Sequence, residues 1–129
     1  MKKNRIPENI AFEIDFYERL IADKPDFIDA LIPLANAYTE AGRYHKGLTI
    51  DKRLARLRPH DEIVFYNLAC SFALVKMPDE AFAALHKAVQ LGYSDYEHLL
   101  RDKDLDYIRK DERFSRIVTV IKQRRNISL

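Results

Sequence analysis

Three glycines and five prolines among 129 residues leave little material for tight turns. An all-β fold with many hairpins would need more of both. Tryptophan is absent, and the single cysteine, Cys70, has no partner for an internal disulfide. That fits a reducing compartment. No apolar run approaches the ~20 residues of a membrane-spanning helix. The opening stretch MKKNRIPENIAF is basic but has no apolar segment behind it, so it does not read as a secretory signal. These absences point to a cytoplasmic protein with no membrane partner.

What remains is helix-forming material. The length suits one ordinary domain. Apolar residues make up 47% of the chain, with seven Phe and seven Tyr to build a core. The rest is rich in Ala, Leu, Lys, Arg and Glu, all strong helix formers. Net charge is only +2, but it is unevenly spread. Residues 8–40 carry −6, residues 41–60 +5, residues 61–100 −4 and residues 101–129 +4. Alternating solvated faces account for such a pattern. A sharper reading is a basic patch of Arg43, Lys46, Lys52, Arg53, Arg56 and Arg58 that meets an acidic partner. Only Tyr44 interrupts that run as an aromatic, and the overall balance is modest. Nucleic acid is therefore not expected as a partner.

A period of 34 residues runs through the chain. It relates Pro25 to Pro59, Leu31 to Phe65, Leu34 to Leu68, Ala35 to Ala69 and Tyr38 to Phe72. It also relates Leu20, Leu54 and Ala88, and Tyr17, Asp51 and Leu85. The stretch ALIPLANAYTEAGRYHKGLTIDKRLARLRP lies over VFYNLACSFALVKMPDEAFAALHKAVQLGY without a gap. Leu31, Leu34 and Tyr38 recur at i, i+3, i+7, one face of a helix. Gly42 suits that helix's C-terminal end. A second apolar face follows through Leu48, Leu54 and Leu57, and Pro59 ends it. Each unit thus reads as two helices around a turn, meeting closely at the small residues Ala35 and Ala69. A larger side chain there would overpack the contact, at a cost of ~1–3 kcal/mol.

This pattern resembles the tetratricopeptide repeat. The first repeat supplies Leu31, Leu34, Ala35, Tyr38, Gly47 and Pro59, with Asp51 at the second aromatic position. The second supplies Phe65, Leu68, Ala69, Phe72, Ala81 and Leu85, with Tyr93 where proline is usual. The stretch AFEIDFYERLIADKP fits the second helix of a preceding repeat. The resemblance implies an all-α, right-handed solenoid in one domain. Its parts are a half repeat at 8–25, repeats at 26–59 and 60–93, and a helical cap at 94–125. Two departures stand out. Pro33 lies inside a helix, where it removes a backbone donor and should kink it. Lys76 stands where the turn glycine belongs, with Pro78 starting the next helix. The third unit breaks the period, with Asp102 and Lys103 at the Leu and Ala places. A short helix near DYEHLL and an amphipathic one through Phe114, Ile117, Val118 and Ile121 replace it. This segment looks like the cap that closes some bacterial arrays of the family.

Catalytic signatures are missing: there is no HExxH, CxxC, GxSxG or glycine-rich phosphate loop. DKDLD begins like a calcium loop, but Tyr107 and Arg113 occupy the places that need Gly and Glu. Its aspartates are expected to cap short helices. Cys70 and His86 belong to different helices of one repeat and should not meet. His45, His60 and His98 have no ligand partners at helical spacing. Neither a cofactor, a metal nor an enzymatic activity is expected.

The family resemblance implies a non-catalytic scaffold that binds a protein or peptide along its concave face. The residues it places there are Asp29, Ile32, Asn36 and Thr39 from the first repeat, flanked by Pro33 and Glu40. From the second come Ile63, Tyr66, Asn67 and Cys70, with Leu74 beyond. Asn36 and Asn67 could bond a peptide backbone, and Ile32, Ile63 and Tyr66 could take apolar side chains. Asn67 bridging neighbouring helices is the plainer alternative. Chaperone-binding members grip a terminal carboxylate with two Asn and several cations. Asn36 and Asn67 match the Asn places, but Ile32, Tyr96 and Leu100 stand near the cationic ones, and the closest cation is Arg101. A carboxylate clamp is not expected. The alternative function is self-assembly, through the open end at 8–23 or the groove.

Overall fold

A computed structural model describes residues 6–128. The described residues are helical, with no strand among them. The chain forms two compact units, divided between Leu57 and Arg58.

The first unit holds α1 (Glu8–Asp23), α2 (Ile28–Glu40) and α3 (Tyr44–Leu57). Helix α1 packs on α2, and α2 on α3. Leu31, Leu34 and Ala35 are buried on α2, as the i, i+3, i+4 spacing requires. Helix α2 continues through Pro33. The contact with α3 is tight at Gly47. A Cβ there would lie 3.3 Å from the Thr39 hydroxyl and 3.6 Å from the Ala35 carbonyl. A methyl there would press on the Thr39 hydroxyl, which would have to give by a few tenths of an ångström. Across the other contact, the Tyr38 hydroxyl donates to the Glu18 carboxylate of α1. Burial pushes the Tyr38 phenol up, and Glu18 pushes it further. Arg53 donates to the Pro25 carbonyl, 3.0 Å away, tying α3 to the loop before α2.

The second unit holds α4 (Glu62–Leu74), α5 (Pro78–Gln90), α6 (Tyr96–Arg101), a 3-10 helix (Lys103–Ile108) and α7 (Glu112–Ser128). Helix α4 packs on α5, the 3-10 helix packs on α4, and α7 packs on α5 and α6. Asp61 caps α4 by accepting the Ile63 and Val64 N–H groups at 3.0 and 3.2 Å. Pro78 opens α5 with Asp79 and Glu80 in its first turn, where acidic residues suit the helix dipole. On α7, Phe114, Val118 and Ile121 are buried and Ile117 is half-buried. Arg124 donates to the Val89 carbonyl at the end of α5, 2.6 Å away.

The period is visible within each unit. Helices α2 and α4 begin and end 34 residues apart, and α3 and α5 begin 34 apart. The turns match as well. Gly42 sits at φ +76° and Lys76 at φ +64°. In one, Arg43 N–H reaches the Tyr38 carbonyl at 2.8 Å; in the other, Met77 N–H reaches Phe72 at 2.9 Å. These are the 6→1 bonds of a left-handed helix end, which favours glycine. Lys76 holds that conformation against its Cβ, at a cost of ~1–2 kcal/mol.

Lys76→Gly should therefore stabilise the protein by about 0.5–1 kcal/mol, the relieved strain less the extra unfolded-state entropy of glycine. Urea denaturation followed by circular dichroism measures it. An unchanged or lower midpoint would show that the turn carries no such strain.

Candidate functional site

In the first unit, Asp29, Ile32 and Asn36 are exposed along one stripe of α2 at i, i+3, i+7. Ile32 is 40% exposed, unusual for an isoleucine in a helix this well packed. Thr39 is half-buried and returns its hydroxyl to the Ala35 carbonyl at 3.1 Å.

In the second unit, Ile63 is 50% exposed and Asn67 half-buried. Tyr66 and Cys70, one and two turns on, are buried at 4% and 6% exposure. The segment after α5 covers them. The Tyr93 ring stacks on Tyr66 with centroids 4.4 Å apart and planes at 9°. The Tyr66 hydroxyl donates to Asp102 Oδ2 at 2.6 Å, and the Cys70 thiol lies 3.7 Å from the same oxygen. His98 Nε2 comes within 3.2 Å of it. Asp102 Oδ1 accepts the Asp104 N–H at 3.0 Å and so caps the 3-10 helix. Arg109 holds this segment in place. Its guanidinium donates to the carbonyls of Leu99 (3.1 Å) and Leu100 (2.6 Å) and to that of Asp102. Leu99 and Leu100 lie in the last turn of α6, where carbonyls lack helical partners; the Asp102 carbonyl also accepts the Leu105 N–H at 3.1 Å.

One carboxylate thus gathers a phenol, a thiol, an imidazole and a backbone N–H. Burial pushes the Tyr66 phenol up, and the hydrogen bond to Asp102 adds to it. Burial likewise pushes the Cys70 thiol well above its ordinary value, with Asp102 and Asp104 contributing. Such a shift disfavours the thiolate, the reactive form. His86, on α5, is exposed.

Cys70 Sγ and carboxylate oxygens of Asp102 and Asp104 lie within 4.8 Å of one another, a spacing that could suit a metal ion. Without a metal, Asp102 accepts at both oxygens and burial keeps the Cys70 thiol protonated; an ion would have to displace those donors and the thiol proton. Asp104 is raised by burial first and then by the charges of Asp102 and Asp106. We read the cluster as a latch that fastens residues 93–108 onto α4. The sequence marked Asp102 both as a break in the period and, with Asp104 and Asp106, as a helix cap, and Asp102 does cap the 3-10 helix. It held no sign that Asp102 would reach Tyr66, 36 residues earlier.

The basic run is mostly solvent-facing. Arg43, Lys46, Lys52 and Arg56 are exposed, Arg53 is committed to Pro25, and Arg58 lies 3.7 Å from Asp61 in the second unit. No described helix is long and apolar enough to cross a membrane.

No family model matches the chain. The chain is similar to a chloroplastic protein of Arabidopsis thaliana, with 26% identity over 80 residues. The match covers 60% of this chain and 24% of that protein, so the chain spans about a quarter of its relative's length.

Two outcomes follow from the latch. Tyr66→Phe leaves Asp102 short of its best donor and should cost about 1–3 kcal/mol. Denaturant unfolding measures it, and a neutral result would reduce the latch to incidental contact. Burial, with the Asp95 carboxylate beside it, pushes Tyr93 up to about 12. A phenol raised on folding contributes stability that is complete below its unfolded value of about 10 and is lost as pH rises toward 12. The tyrosinate absorbance of wild type minus Tyr93→Phe should titrate near 12; a midpoint near 10 would show an open ring.

Proposed function

We propose that the chain is a short tetratricopeptide-type right-handed α-solenoid, about two and a half repeats with a helical cap, and that it binds a protein or peptide without catalysis. The repeat assignment is supported by helix boundaries and left-handed turns that recur at 34 residues. The single cysteine fits a cytoplasmic location.

The observation that carries the binding reading is the stripe Asp29, Ile32 and Asn36 on α2. An exposed isoleucine beside an amide offers an apolar contact and a backbone-bonding group at helical spacing. An extended peptide needs both. On α4, Ile63 and Asn67 offer the same pair of chemistries, whereas Tyr66 and Cys70 act beneath the latch. Asn36 and Asn67 without neighbouring cations favour an internal peptide segment over a free carboxylate.

Panning a random peptide display library on the immobilised protein tests this. Selected peptides should lose about tenfold or more in affinity on Ile32→Asp and on Asn36→Ala, with helicity and melting unchanged. They should bind normally to Val120→Asp, on the exposed face of α7. Peptides indifferent to both α2 substitutions would place recognition elsewhere.

A further inference from the structure

Helix α1 is apolar on two faces. Ile10 and Ile14 are buried against the first unit. Phe12 and Phe16, on the opposite face, are 69% and 47% exposed. Their rings lie one turn apart, 6.4 Å between centroids and tilted by 15°. Two adjacent aromatic rings facing water form an apolar patch open to a partner.

We propose that α1 pairs with α1 of a second copy of this chain, antiparallel about a two-fold axis that crosses the Phe12–Phe16 face midway between the two rings. The charges on this stripe select that occupant. Glu8, Phe12, Phe16 and Arg19 run along it at i, i+4, i+8, i+11, so acid and base flank the rings at opposite ends. A two-fold antiparallel pair sets Phe12 against Phe16 of the other copy. It sets Glu8 beside Arg19 of the other copy, at both ends at once. Such self-complementarity is what an isologous contact requires. Glu8 is exposed, and the Arg19 side chain is 79% exposed; its ion pair with Asp15 of its own helix, at 3.1 Å, would be shared with Glu8 of the other copy. Antiparallel packing also opposes the two helix dipoles favourably. A parallel pair would put Glu8 against Glu8. Helix α1 is only about 24 Å long, so the contact is smaller than the ~1,200–2,000 Å² of a standard interface. The dimer is accordingly weak, with a dissociation constant between micromolar and millimolar. It leaves the α2 stripe out of account and stands or falls apart from peptide binding.

Sedimentation equilibrium of the full chain, from micromolar to millimolar, tests the pairing. Wild type should show a monomer–dimer equilibrium, and Phe12→Glu should weaken it at least tenfold while circular dichroism reports unchanged helicity. Glu8→Arg and Arg19→Glu should each weaken it about two- to fivefold, as exposed ion pairs do. The double variant Glu8→Arg/Arg19→Glu should recover to within about twofold of wild type. A wild-type monomer throughout the range would overturn the proposal and leave the face to a different partner. So would a dimer indifferent to Phe12→Glu, or charge reversals that add instead of cancelling.

Discussion

The closeness of paired helices is the constraint on which the fold depends. At Gly47 even a methyl group would lie 3.3 Å from the Thr39 hydroxyl and 3.6 Å from the Ala35 carbonyl of α2. Ala81 and Ala69 hold the equivalent places in α5 and α4, both fully buried. Small residues at these points let helices approach until their larger neighbours interlock, and burial then follows on both sides. Leu31 and Leu34 on α2 and Leu85 on α5 are inaccessible to water as a result. The turn geometry follows from the same closeness. A tight helix pair needs a short reversal, and a left-handed residue at 42 or 76 supplies it. Lysine is retained in that conformation at 76 because the packing around the turn over-determines it.

Most of this architecture was legible in the sequence. The period showed where helices begin and end because burial on one face of each helix repeats with it. Gly42 and Pro78 marked their turns by backbone chemistry alone. The amphipathic face of α7 through Phe114, Val118 and Ile121 was readable for the same reason. The latch was not. A hydroxyl meeting a carboxylate 36 residues away leaves no periodic trace, and Asp102 looked like a simple departure from pattern. For that reason the sequence set Tyr66 and Cys70 on an open face, where the structure has them covered. The Phe12 and Phe16 pair lay between the two cases. Its spacing against Ile10 and Ile14 held the two-faced character of α1, but two apolar faces on one helix do not by themselves say which is inward.

Polar groups divide along the same line as the apolar ones. In the first unit, the buried hydroxyl of Tyr38 answers to one carboxylate across a helix contact. In the second, Asp102 serves several donors, and Arg109 serves several acceptors a few residues away. Buried polar side chains among the described residues are fully partnered. Such a network is costly to dismantle in part, since each removed member leaves another unsatisfied.

That gives the latch a consequence for any change at position 102. Without its carboxylate the Tyr66 hydroxyl would lose its acceptor and the Asp104 N–H its cap in one step. The covering of α4 and the start of the 3-10 helix are thus tied to a single side chain.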